Sequence, residues 1–192
     1  MPRCMLDTDQ LSALDGSFEL LATYSDLVAD AAELERQYPH SKLVYIDRGL
    51  GDPDNKASIG DFETGALRIA DVPEWLDAKE RQKVNFRTCY SDRNNVQAIT
   101  EAAGKRSFWR WVATLDGTLQ IIGFRALHAP AAVQILPSKK VGTHADFSLV
   151  LEPSWHPTRA IYPRTALQRD LNKALSSISD GVSDLHRMAG LI

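Results

Sequence analysis

The sequence predicts an α/β protein whose mainly parallel sheet closes into a TIM-like (β/α) barrel, irregular and partly antiparallel in its second half and followed by a C-terminal amphipathic helix. Three observations predict it. Short apolar runs rich in Val, Ile, Phe, Tyr and Trp recur along the chain, each of strand length. Helix-period segments lie between several of them, and strands that alternate with helices and are apolar almost without interruption belong to a sheet buried on both faces. Acidic residues stand at the ends of the runs, where barrels of this kind carry their chemistry.

The strand candidates are 3–8, 18–24, 42–47, 58–63, 84–90, 109–115, 119–126, 132–136 and 147–151. That is one more than a closed barrel of eight uses, so one is expected to be an insertion. After the second candidate, Leu27, Ala31 and Leu34 recur at helical spacing behind Ser25 or Asp26 as a cap. After the fourth, Trp75 lies in a charged stretch opened by Pro73, and after the fifth, Val96, Ile99 and Ala103 follow a cap at Ser91 or Asp92 and stop at Gly104. From Leu119 to Leu151 the runs are separated only by turn residues such as Ala129-Pro130 and Ser138-Lys139-Lys140. Parallel strands need long crossovers, so this half predicts an antiparallel closure.

Residues 1–151 thus read as the barrel. In 152–163, Pro153, Pro157 and Pro163 exclude helix and central strand, so a linker is expected. Beyond it Leu167, Leu171, Ala174, Leu175, Ile178, Val182, Leu185 and Met188 form one apolar stripe, which predicts an amphipathic helix within 164–192. Leu171, Ile178 and Leu185 are seven apart, a short heptad pattern that suits a protein partner or self-association; packing of the helix back on the barrel is the other reading.

Composition narrows the function classes. A chain of 192 residues with 44% hydrophobic and 24% charged residues is long enough to bury a core and too apolar for disorder. No apolar run is long enough to cross a membrane, so no membrane role is expected. The start, Met1-Pro2-Arg3-Cys4-Met5-Leu6-Asp7, meets an acid before an apolar region develops, which does not read as a secretory signal. A net charge of -3 argues against nucleic acid as a partner. Cys4 and Cys89 offer no metal or disulfide spacing, the histidines no metal pair, and no cofactor motif is present, so no metal and no cofactor are expected. Gly49-Leu50-Gly51-Asp52-Pro53-Asp54 reads as a solvated turn, with calcium binding the less favoured alternative.

The most informative string is Ile59-Gly60-Asp61-Phe62-Glu63-Thr64-Gly65. On a strand Asp61 and Glu63 share one face, and two neighbouring carboxyl groups repel when both are ionised, so one keeps its proton to higher pH. An acid and a base made from one residue type is what glycoside hydrolysis uses. Asp7 ends the first candidate strand and Asp146 begins the last, which makes four acids at strand ends.

In that order the motifs become more specific: an early strand ending in Asp7, the Asp61-x-Glu63-Thr-Gly string, a Thr-Cys-Tyr-Ser strand (88–91), Trp111-Val-Ala-Thr-x-Asp-Gly, an apolar strand carrying Gln134, and the late Asp146. This order resembles the family-25 lysozyme-like glycoside hydrolases of phage endolysins and their actinobacterial relatives, over about residues 3–151. The resemblance implies that Glu63 is the general acid on the glycosidic oxygen. Asp61 beside it would be base, electrostatic stabiliser or partner in substrate-assisted chemistry, with Asp7 and Asp146 lining the same pocket. It also implies that Tyr90, Trp111 and Gln134 hold the sugar, and that the substrate is peptidoglycan, cut between N-acetylmuramic acid and N-acetylglucosamine. His144, two residues before Asp146, joins the groove or is a plain loop histidine. Arg48, beside Asp47 at the end of the third strand, adds a charge at the mouth that either contacts substrate or neutralises the acids. Leu6, Leu115 and Ala145 stand where relatives commonly carry aromatics.

Two roles follow: an enzyme cutting wall glycan, made in a bacterial cytoplasm and released at lysis, or a phage virion component, such as a minor tail or capsid-associated protein, that uses the barrel for wall binding or assembly.

Overall fold

The computed structural model describes residues 3–49, 57–114, 130–136, 145–152 and 155. Eight strands close into one barrel in chain order: β1 (Arg3–Thr8), β2 (Leu20–Tyr24), β3 (Lys42–Asp47), β4 (Ile59–Asp61), β5 (Thr88–Asp92), β6 (Trp109–Ala113), β7 (Ala132–Leu136) and β8 (Ala145–Val150). From β1 to β7 every neighbouring pair is parallel. β8 runs antiparallel to both β7 and β1 and closes the ring, so the antiparallel part expected of the second half is a single strand. This reversal matters for the site, because β8 begins where the other strands finish. Its register sets Asp146 directly opposite Asp7.

Three α-helices are present among the described residues. α1 (Ala31–Gln37) starts at Asp30, whose side chain accepts from the Glu33 amide at 3.0 Å. The caps expected at Ser25 or Asp26 belong instead to a single 3-10 turn, Ser25–Leu27, because Ser25 donates its hydroxyl to the Ile46 carbonyl and ties the turn to β3. α2 (Val72–Arg81) has Pro73 in its first turn and Lys79 and Arg81 in its last, both favoured placements. α3 (Val96–Ala103) follows a 3-10 turn capped by Asp92 and ends at Gly104 with φ 61°, a backbone setting that side chains resist.

Helices therefore do not stand between all the strands. β1 reaches β2 through one 3-10 turn, Leu11–Ala13, and Leu11, Leu14 and Phe18 cover the outer face there in place of a helix. The architecture is a closed, mixed eight-stranded barrel with a few helices outside it. The strand candidate 119–126 and the expected helix within 164–192 lie outside the described residues, and of 152–163 only Glu152 and Trp155 are described.

Side chains alternate between lumen and exterior. Met5, Leu20, Ala22, Val44, Ile46, Ile59, Trp111 and Trp155 fill the lumen. Outside, one cluster packs β1 to β3 and β8 against α1, and another holds Phe62, Trp75, Leu76, Cys89 and Ile99 under α2 and α3. Gly60 is a glycine because Trp75 presses on β4: a Cβ there would lie 2.9 Å from the indole and 2.8 Å from the Phe62 ring. The same pressure fixes the strand end from which Asp61 and Glu63 emerge.

Candidate active site

Parity along the strands selects which end residues face inward. Asp7 shares the parity of Met5, Tyr24 that of Leu20 and Ala22, and Asp61 that of Ile59, all lumen residues. Because the parallel strands finish at one rim and β8 begins there, Asp7, Tyr24, Asp61 and Asp146 converge at the carboxyl end of the barrel. Asp47 has the opposite parity to Val44 and Ile46; its carboxylate accepts from the Trp75 indole at 3.0 Å and from the Gly49 amide at 2.8 Å, which removes it from the pocket.

Glu63 sits just past β4, half-buried at the mouth. Its carboxyl is pushed up from the usual 4.5 to about 7, first by burial and then by the negative charges of Asp61, Asp92 and Asp146, against a hydrogen bond from Tyr90. Asp7 is buried and raised well above the usual range by desolvation and then by Asp146. Two carboxyl groups opposite each other across a strand pair cannot both ionise cheaply. Asp61 is raised by burial, but less freely: the Glu63 amide donates to its Oδ1 at 2.9 Å, the Tyr24 hydroxyl to its Oδ2 at 3.1 Å, and Arg48 lowers it further. The cluster thus sorts like groups by environment: Glu63 is raised to about 7, while Asp61, also raised by burial, has donors on both oxygens and a nearby cation that oppose the shift.

The floor is polar and aromatic. The Tyr90 hydroxyl donates to the Gln134 side-chain oxygen, and the Tyr90 and Trp111 rings pack with centroids 4.5 Å apart. The Trp111 indole donates to Ser148 Oγ at 3.0 Å, and Ser148 donates to Asp7 Oδ2 at 3.4 Å. Tyr90, Trp111 and Gln134, expected as groove residues, are all buried here; they form the floor beneath the acids rather than an open sugar platform. Arg48 is held at the rim by Asp26, at 3.0 and 2.6 Å, and lies over the Tyr24 ring, 4.5 Å from its centroid. Its bidentate partner is Asp26, so it does not form an ion pair with the four acids.

Of the expected site residues, the structure brings Asp7, Asp61, Glu63, Asp146, Tyr90, Trp111 and Gln134 into one linked cluster at the carboxyl end of the barrel and sets Arg48 at its edge; His144 lies outside the described residues. Tyr24 and Ser148 were not singled out in the sequence, and Asp92 only as a helix cap. Tyr24 carried a findable signal, since it ends a strand on the inward parity. Asp92 caps the 3-10 turn that leads into α3, accepting from the Asn94 amide at 2.7 Å, and reaches Glu63 as a charge. Among the described residues no group of His, Cys, Asp or Glu is arranged to hold a metal ion, and no helix is long and apolar enough to cross a membrane.

No protein-family model, no curated protein and no solved structure matches this chain.

Proposed function

We propose that the barrel is a reduced TIM-like, lysozyme-like glycoside hydrolase of the family-25 kind, acting on bacterial peptidoglycan and of phage origin. The observation that carries the reading is the carboxyl cluster at the rim: Glu63 pushed up to about 7 beside Asp61, with Asp7 and Asp146 behind it. A carboxylic acid that keeps its proton near neutral pH, next to a carboxylate, is the constellation glycosidic cleavage needs. Glu63 gives its proton to the bridging oxygen as the bond to the anomeric carbon breaks. Asp61 stabilises the positive charge that develops on the sugar. Water then adds to the anomeric carbon and returns a proton to Glu63, which restores the site.

Two of the aromatic positions lost relative to the resembled family weigh little. Leu6 and Ala145 pack in the outer cluster with Leu34 and Phe147, so an aromatic ring there would face away from the groove. Tyr24 and Tyr90 supply rings and hydroxyls on the inward side.

Purified protein should clear a suspension of bacterial cell walls and release reducing sugar, and Glu63→Gln should lower that rate at least about 100-fold while the protein stays folded. Loss of a positioned proton donor gives that size of effect. Equal rates for Glu63→Gln and the parent, or no reducing sugar from any wall tested, would overturn the hydrolase reading. Wall pelleting without cleavage would favour the alternative, a virion-borne wall-binding or assembly module in which the tail 164–192 meets a protein partner.

A further inference from the structure

We propose that Tyr24 is a positioning residue that holds Asp61 as the permanent carboxylate of the pocket, and that Arg48 and Asp26 hold Tyr24, so that Glu63 is left as the proton carrier. The inference deepens the hydrolase reading, since it names the residues that divide the two roles, and rests on it for its kinetic arm only.

Four contacts in series carry it. Asp26 grips the Arg48 guanidinium with both oxygens, at 3.0 and 2.6 Å. The guanidinium carbon stands 4.5 Å from the centre of the Tyr24 ring, within the range of a cation–π contact. The Tyr24 hydroxyl donates to Asp61 Oδ2 at 3.1 Å. The other oxygen, Oδ1, is taken by the Glu63 amide at 2.9 Å. Both oxygens of Asp61 therefore accept from donors placed by two different strands, β2 and β4, a setting that favours the charged form and one orientation of the group. Glu63 shares the Tyr90 hydroxyl with Gln134 and faces three negative neighbours.

The chain runs from the rim inward, and each member has a structural reason to be there. Tyr24 ends β2 on the inward parity, Arg48 follows β3, and Asp26 lies in the 3-10 turn after β2. Parallel pairing of β2 and β3 sets Tyr24 beside Ile46, which brings the residue after Asp47 over the phenol. The charged and titratable groups around Asp61 come from every side: Tyr24 from β2, Arg48 after β3, Glu63 after β4, Tyr90 from β5, Asp7 from β1 and Asp146 from β8. Of these, Tyr24 and Arg48 favour its charged form, together with the Glu63 backbone amide. Tyr24 itself is raised, first by burial and then by the Asp61 charge, so it remains a neutral donor throughout the working range.

The sign of the effect follows. Removing the hydroxyl withdraws a donor from the charged form, so Asp61 keeps its proton to higher pH; with less charge on Asp61, Glu63 releases its proton at lower pH. The experiment is Tyr24→Phe, which keeps the ring under Arg48, read by carboxyl-carbon NMR titration of Asp61 and Glu63. Asp61 should titrate about one pH unit higher than in the parent and Glu63 lower. In the wall-hydrolysis assay the acidic limb of the pH–rate profile should move up and the basic limb down, whereas a merely structural role would scale the rate and leave both limbs in place. Arg48→Met tests the second link without touching the pocket and should move Asp61 the same way by less. Unmoved Asp61 titrations in both variants would overturn the proposal even if the walls are cleaved. Moved titrations in a protein that cleaves nothing would uphold it and count against the hydrolase reading alone.

Discussion

The two ends of the barrel solve the problem of buried charge in opposite ways. At the amino end, Arg3 lies 3.6 Å from Glu19, with side chains 12% and 5% exposed, and Arg3 also donates to the Trp155 carbonyl. Trp155, fully buried, closes that end and donates its indole N–H to Thr88 at 3.0 Å. Opposite charges meet there, and the polar groups named all find partners. At the carboxyl end, four carboxyl groups gather around a floor of Tyr90, Gln134 and Ser148, and the nearby cation Arg48 is turned toward Asp26. One end pairs its charges; the other accepts like-charge repulsion and desolvation, which is what marks it as the candidate site. The barrel can carry the second because the first is sound.

Breaking the sound end should have the largest effect. Trp155→Ala removes a large buried ring and leaves the Thr88 hydroxyl without its donor, and should cost about 3 to 5 kcal/mol of unfolding free energy, measured by denaturant titration. The acids at the far rim should be untouched at first order, so the NMR titration of Glu63 in the remaining folded protein should match the parent. A loss below about 1 kcal/mol would mean that the indole is not part of the core.

The opposite end is tested by pH, with a smaller expected effect because Glu63 is only half-buried. Glu63 titrates at about 7 in the folded chain against an ordinary 4.5, and Asp7 and Asp61 are raised as well. Between the two values the folded state holds more protons than the unfolded one, so stability falls as pH rises through that window and levels off above about 7. The melting temperature should therefore drop on going from about pH 5 to about pH 8. Glu63→Gln, which cannot ionise, should flatten that slope, and a slope parallel to the parent would show that Glu63 carries no strain.

The same contrast explains what could be read from the sequence. β1, β3 and β7 match the expected runs 3–8, 42–47 and 132–136, because apolar strands bounded by turn residues leave little choice of register. The run 84–90 became Thr88–Asp92, since Lys83 and Phe86 adopt positive φ, 57° and 58°, and turn the chain before the sheet begins. The acids were legible because a charge at the end of an apolar strand is conspicuous. Tyr24 was passed over, as an aromatic in a strand reads as core unless its inward parity at the strand end is weighed. Trp155 was hidden among prolines that signal a linker, and only the closed barrel shows the space it fills. Ser148 and Gln134 matter through partners on other strands, Trp111 and Asp7 for one and Tyr90 for the other, which no single strand reveals.

The smallest effect sharpens the comparison from a neutral position. Gly104 ends α3 with φ 61° and has nothing within 4 Å of where a Cβ would stand. Gly104→Ala therefore meets no steric contact, and its whole cost is the strain of a left-sided backbone on a residue with a side chain, about 1 to 2 kcal/mol. Gly104 makes no contact with the carboxyl cluster and carries no charge, so Glu63 should titrate at its parental value. Differential scanning calorimetry and the carboxyl NMR titration together check both halves of that statement. A stability loss with a displaced Glu63 titration would show that strain travels from α3 through β5 to the rim, and the two ends of the barrel would no longer be independent.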